Sequence, residues 1–421
     1  MASRALGQVQ QPRPLWQVMS VYWLAQYAAW LGILTPVIMT IALKIGQIAP
    51  PSQKAEWLGL ILSTGAATAM IATPIWGAIS DHTRSRLGRR KLWIILGSAM
   101  LLTGLTIMTI SASPLIFGVG WLFCQIGSNA AQAALNAVLS DVIPEEKHGL
   151  MSALLGASAT AAISTGVFIV NLTGTDPQTM FLVPWLLSPL AIMLFVMVVP
   201  DAPALKVDHH AFSLKRIFYT PGRNPLRSGD FTWALISRFL VMSSWSFALT
   251  YQVFFLTDRL HVAPSEVAGF MTLSTSLMGL ISLALSCVAG WLSDLMHRRK
   301  IFVIVAAFMM MTGFLGAALA TNFEQFLAAV ALISIGQGLY YAVDIALCVE
   351  VLPNREDVAR DMGLLQIANS LPQSIVPAIG PILLGLGVAG LQHANYFALF
   401  GTASACALIG ALAIMPIRGV R

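Results

Sequence analysis

The chain has 421 residues, 57% of them hydrophobic and only 10% charged, with a mean hydropathy of +0.77. A soluble domain carries roughly 25% charged side chains, so soluble enzyme, nucleic-acid-binding and disordered classes are excluded. The net charge of +6 is then a matter of where basic residues sit across a membrane, not of a DNA or RNA partner.

Roughly 20 apolar residues cross a bilayer as one helix. Stretches free of Asp, Glu, Lys and Arg predict six spans in the first half: Leu15–Leu43, Trp57–Ser80, Leu92–Ser113, Pro114–Ser140, Gly149–Thr175 and Pro177–Pro200. Six more follow: Phe231–Thr257, Val267–Ser293, Ile301–Phe323, Gln325–Val349, Met362–Leu386 and Asn395–Ile417. The expected fold is therefore an all-α integral membrane protein, with twelve transmembrane helices in two pseudo-symmetric six-helix bundles. Residues 1–200 and 231–421 form the bundles, and 201–230, with Pro203, Pro221, Gly222 and Pro225, the linker. The first apolar run is too long for a signal-peptide core and should stay in the mature protein. The four cysteines lie in apolar runs without metal-ligand spacing and read as packing residues.

In chain order, the first span offers Tyr22, Gln26 and Trp30. After the second comes GAISDHTRSRLGRRK, Gly77 to Lys91. The fourth carries Gln125, Asn129, Gln132 and Asn136, whose spacings of 4, 3 and 4 put four amides on one helical face. Lipid penalises such a stripe, so it should face water, solute or another helix. Small-residue runs, Ser152 to Ser164 in the fifth span and Ser274 to Ser286 in the eighth, suit close helix packing. The seventh span contributes Arg238, Met242, Trp245 and Gln252; the tenth Ser334, Gln337, Tyr341 and Asp344; the eleventh Gln366, Asn369 and Gln373, with Pro372, Pro377 and Pro381 as kink points.

Arg238 and Asp344 are the charges inside the spans. A charge at mid-bilayer costs roughly 2.5–3.5 kcal/mol, so each needs a partner. At 1.5 Å per residue their depths from one membrane face agree, about 9 Å for Asp344 and about 12 Å for Arg238, and a salt bridge between them is predicted. It serves either as a gate or proton-coupling pair, or as a structural staple of the second half.

With an even number of spans both termini share a side, and the segments on that side hold 20 of the 24 basic residues. The positive-inside rule makes that side cytoplasmic, which places the protein in the cytoplasmic (inner) membrane.

The halves echo one another. GWLSDLMHRRK, Gly290 to Lys300, follows the eighth span, and its Asp294 stands 213 residues after Asp81. Asp141-Val-Ile-Pro144 and Glu350-Val-Leu-Pro353 match at an offset of 209. Two loop matches at nearly one offset indicate a parallel repeat with a site between its halves.

These residues resemble the major facilitator superfamily over essentially the whole chain. Gly77, Asp81, Arg86, Gly88, Arg89 and Arg90 match its signature loop, in a longer form similar to the glycoside-pentoside-hexuronide and sucrose-type sugar transporters. His82 departs from the Arg or Lys that usually follows the Asp, and the second copy lacks a Gly after Asp294. The resemblance implies that this loop, with Asp294, Arg298 and Arg299, is a conformational latch; the plainer alternative is that its basic residues only fix topology. It also implies that spans 1, 4, 7 and 10 line a midplane cavity. The second span has no carboxylate of the kind that sodium-coupled melibiose-type relatives use, so sodium coupling is not expected.

Amides with aromatic faces suit a neutral polyhydroxylated solute. Expected solute contacts are Tyr22, Gln26, Trp30, Gln125, Asn129, Gln132, Asn136, Trp245, Gln337, Tyr341, Asn369 and Gln373. The expected protein is a monomeric secondary transporter, not an enzyme, for a small polar solute such as a sugar, with proton coupling through Asp344 left open. It has no Gly-Lys phosphate loop, no cofactor, no metal and no nucleic-acid partner. A multidrug or metabolite exporter and a non-transporting membrane assembly factor remain the alternatives.

Overall fold

The computed structural model describes residues 13–83, 85, 87–200, 229–296, 299–351, 358–386 and 394–417. A helix covers each of the twelve predicted apolar stretches, several extending past it into charged residues. In the first half these are α1 (Leu15–Ile48), α2 (Lys54–His82), α3 (Lys91–Ile110), α4 (Pro114–Val142), α5 (His148–Thr173) and α6 (Pro177–Val198). The second half has α7 (Gly229–Arg259), α8 (Val267–Met296), α9 (Arg299–Leu319), α10 (Phe323–Glu350), α11 (Val358–Leu384) and α12 (Tyr396–Ile414). Among the described residues eleven helices are long and apolar enough to cross a membrane. The twelfth, α4, has 29 residues and ample length, but its amide stripe dilutes its apolar content. Alternating crossings put both chain ends on one side, here the terminal face; the opposite side is the far face.

The packing is duplicated. In the first half α3 packs on α4 and α6, α2 on α4, and α1 on α5 and α6. The second half repeats each pairing: α9 on α10 and α12, α8 on α10, and α7 on α11 and α12. Across the halves α2 meets α11, and α5 meets α8, which is again one pairing seen twice. The first helix of each half also carries a π turn toward its far end, at Pro36–Thr40 and Phe255–Arg259. Repeat-related sequence thus folds to repeat-related packing, with the seams at α2–α11 and α5–α8.

Proline chemistry shapes two helices. Pro189 has no N–H for the Trp185 carbonyl, and α6 breaks there into Pro177–Trp185 and Leu187–Val198. Helix α11 runs unbroken through Pro372, Pro377 and Pro381. Because Pro381 cannot donate, the Pro377 carbonyl loses its helical partner, and the buried Tyr251 hydroxyl of α7 donates to it at 2.7 Å. Gly380 has no side chain to obstruct the Tyr251 ring, and Gly59 of α2 packs against the same Pro377 carbonyl. One proline-freed acceptor thereby ties α7, α11 and α2 together.

The contacts that the described residues make across the halves lie in the middle and far layers. Gly59 meets Pro377 and Pro381, Ser164 of α5 donates to the Thr275 carbonyl of α8 at 3.4 Å, Gly279 faces Thr160, and Lys54 pairs with Asp258. Along the α11 stripe that seats Pro377 and Pro381 on α2, the preceding members Gln373 and Gln366 are exposed, and among the described residues nothing lies within 4 Å of where a Cβ at Gly77, near the terminal end of α2, would stand. Among the described residues the halves are thus joined at mid-span and on the far face.

Candidate functional site

The α4 stripe turns inward. Gln132 is buried and its Oε1 accepts from Gln26 Nε2 of α1 at 2.8 Å, which leaves Gln26 Oε1 and Gln132 Nε2 without partners among the described residues. Asn129 donates to the Gln125 carbonyl at 2.7 Å, and its Oδ1 accepts from Thr73 of α2 at 2.8 Å. Gln125 is buried, whereas Asn136, nearest the terminal face, is exposed. The stripe therefore joins α1, α2 and α4, with its exposed member Asn136 nearest the terminal face.

The other expected solute contacts are placed unevenly. Tyr22 is fully buried, its hydroxyl donating to the Leu135 carbonyl at 2.7 Å and its ring edge-on to Phe195 of α6. Trp30 and Trp245 are half-buried against the larger apolar core. Gln337 is buried and accepts from Ser282 of α8 at 3.0 Å, while Tyr341, one turn on, is exposed. Asn369 is half-buried and Gln373 exposed on α11. Gln252 donates to Ser274 of α8 at 3.0 Å.

Arg238 of α7 and Asp344 of α10 form a salt bridge, with side chains 12% and 7% exposed. Cys348, one turn beyond Asp344, brings its sulfur to 3.8 Å from Asp344 Oδ1 and 4.0 Å from Arg238 Nη1. Both partners belong to the second half, so the pair does not bridge the seam.

At the terminal face the two loop motifs of the first half meet. Arg90 Nη2 lies 2.7 Å from Asp81, its Nε 2.8 Å from Asp141 and its Nη1 2.8 Å from the Ser80 hydroxyl. Arg89 Nη2 takes the other Asp141 oxygen at 2.8 Å. Gly88, at φ +105, makes the left-handed turn that lets both arginines fold back onto α2 and α4. Burial opposes the Arg90 charge, but the hydrogen bonds and field of Asp141 and Asp81 outweigh it and hold the guanidinium above its ordinary range. Arg86 and Arg298 lie outside the described residues, as do the side chains of Asp294 and Arg299.

Three polar groups were not singled out by spacing or motif. Thr73 completes the Asn129 amide. Lys44 is buried within α1, its Nζ reaching the Thr109 carbonyl at 3.4 Å. Lys54 pairs with Asp258. A signal for the last exists in the sequence: a Lys at a helix N-terminus and an Asp at a helix C-terminus each oppose the local dipole.

Two repeat-related bundles of long apolar helices, each with polar side chains paired inside it, define a multi-pass membrane protein. The Major Facilitator Superfamily model matches residues 18–278 and again 234–420, and the chain belongs to that family. Its fold is similar to that of a mutant form of the nucleoside transporter NupG, with TM-score 0.74 and 12% identity over 96% of this chain and 100% of that one. It is also similar to the D-xylose-proton symporter, with TM-score 0.70 and 16% identity over 96% and 98% of the two chains. A stretch of 158 residues is 26% identical to the Staphyloferrin B transporter of Staphylococcus aureus (strain NCTC 8325 / PS 47), spanning 37% of this chain and 36% of that protein.

Proposed function

We propose that the protein is a monomeric secondary transporter of a neutral polyhydroxylated solute, a sugar or glycoside, working by alternating access in the cytoplasmic membrane with its terminal face toward the cytoplasm. The observation that carries this reading is the Gln26–Gln132 pair, which among the described residues keeps one acceptor and one donor without partners, on a stripe whose last member, Asn136, is exposed. A hydroxyl group both donates and accepts, so a polyol can satisfy both at once. Two proteins of the same fold are named for a pentose and for nucleosides, which also present hydroxylated rings. Protons are the coupling ion in this reading, with Asp344 the group that takes them and Arg238 the counter-charge that its protonation releases. The terminal-side latch is the Asp81–Arg90–Asp141 cluster with Gly77.

Uptake of a labelled sugar panel into proteoliposomes, with and without a pH gradient, tests the reading. Concentrative, gradient-driven uptake of at least one sugar is expected; none across the panel removes it. A second reading, a metabolite exporter of the same fold, is favoured by the stretch resembling the Staphyloferrin B transporter. Counterflow with a panel of non-sugar metabolites in the same vesicles separates the two.

A further inference from the structure

Lys54 opens α2 and Asp258 sits in the π turn that closes α7, so each carries the charge that its own helix end disfavours. Neither charge is explained by its own helix dipole. Across the seam they meet at 2.5 Å, and the Lys54 ammonium also lies 5.0 Å from the centroid of the Phe254 ring. Asp258 is held ready from its own side: its Oδ2 accepts from the Tyr396 hydroxyl and its Oδ1 from Thr257, each at 3.0 Å. The ring of Tyr396 is in turn fixed edge-on against Phe255, 5.3 Å between centroids.

We propose that Lys54 and Asp258 are the far-side latch of the transport cycle, an ion pair that holds the far face shut and parts when that face opens. The inference rests on the alternating-access reading above and adds the residues that close one of its two gates. Exposure supports a contact built to break. The two side chains are 25% and 26% exposed, against 12% and 7% for Arg238 and Asp344. A partly solvated pair loses less on separation than a buried one, which strands a charge. When the halves part, Asp258 keeps Tyr396 and Thr257, and Lys54 gains water. Neither open-state charge is left buried and alone.

The test uses the full-length protein in nanodiscs, with Cys287 and Cys406 replaced by Ser and spin labels at Ser52→Cys and Ser265→Cys, exposed positions flanking the pair. Lys54→Gln and Asp258→Asn should each raise the ratio of long to short inter-label distances by roughly two- to fivefold, the range expected for a partly exposed pair. The double variant should shift the ratio no further than either single one, because both remove the same contact. Lys54→Arg should leave the distances unchanged. Raising salt to about 1 M should open the far face of the protein with neither latch residue altered, which needs no variant of the pair to fold. Unchanged distances in both single variants and in salt, or additive shifts in the double variant, overturn the latch. A shift in distances with no uptake of any sugar would leave the latch standing and remove the solute reading; sugar uptake without a shift would do the reverse.

Discussion

Arg90 and Asp141 stand 51 residues apart in sequence and are joined by Nε and Oδ2 at 2.8 Å, which welds the loop after α2 to the end of α4. Along the chain these residues belong to two separate motifs, each echoed in the second half. In space they are one cluster: Arg90 spans Asp81, Ser80 and Asp141, while Arg89 closes on the second Asp141 oxygen. Asp141 therefore holds the two arginines, and Asp81, 53% exposed, is the member free to change partners.

That division sets unequal costs. Removing one partner from a buried ion pair costs about 3–5 kcal/mol, whereas an exposed pair is worth about 1 kcal/mol or less. Asp141→Asn is predicted to lower stability by about 3 kcal/mol and Asp81→Asn by no more than about 1 kcal/mol. Thermal unfolding in detergent ranks the two variants, and equal losses would contradict the buried role of Asp141. If Asp81 exchanges partners during the cycle, Asp81→Asn should still reduce uptake severalfold.

The sequence made the spans legible because charge is expensive in lipid and so marks where the membrane begins. It does not mark where a helix ends. Asp81 and Asp141 lie inside helices, α7 continues through Asp258 to Arg259, and α1 continues past Lys44 to Ile48. Lys44 could be kept because its ammonium reaches the Thr109 carbonyl on another helix, a contact no local pattern encodes. The amide stripe was legible by period. Its partners were not, since Gln26 and Thr73 are chosen by packing. The Lys54–Asp258 contact, 204 residues apart, left only the faint trace of two charges at the wrong helix ends.

The pairing of Arg238 with Asp344 predicts a second asymmetry. Asp344→Asn leaves a buried guanidinium with no counter-charge, so uptake should fall at least about tenfold. If Asp344 carries the coupled proton, the same variant should lose the dependence of uptake on the pH gradient while retaining downhill exchange. Exchange that remains gradient-driven would make the pair a staple and not a coupling site. The double variant Arg238→Asp/Asp344→Arg should recover part of the lost stability, measured by unfolding, whichever role holds.

Tyr22 and Gln132 both fall within the first half's polar layer but should respond differently. The Tyr22 hydroxyl is spent on the Leu135 carbonyl and the side chain is fully buried. Tyr22→Phe is predicted to cost about 1 kcal/mol of stability and to leave KM unchanged. Gln132→Ala removes one of the unpartnered polar groups and frees Gln26, so KM for the solute should rise about tenfold with a smaller change in kcat. A KM shift in Tyr22→Phe matching that of Gln132→Ala would place the solute on the opposite side of α1.

Two glycines of α2 give the sharpest contrast between a contact made in this state and one reserved for the other. A side chain at Gly59 would overlap the Pro377 carbonyl, so the far seam closes only because that position is bare. Among the described residues, Gly77 has nothing within 4 Å of where a Cβ would stand. Packing in the present state thus gives no reason for glycine at 77, but closure of the terminal face would bring α11 toward α2 there. Gly59→Val is predicted to hold the far face open, lengthening the Ser52 to Ser265 label distance and lowering thermal stability. Gly77→Val should leave both the distance and the stability of this state unchanged, yet cut uptake at least about tenfold by obstructing the return half of the cycle. Uptake by Gly77→Val at the wild-type rate would mean that the α2–α11 seam never closes at its terminal end, and the signature loop would then be left with topology as its role.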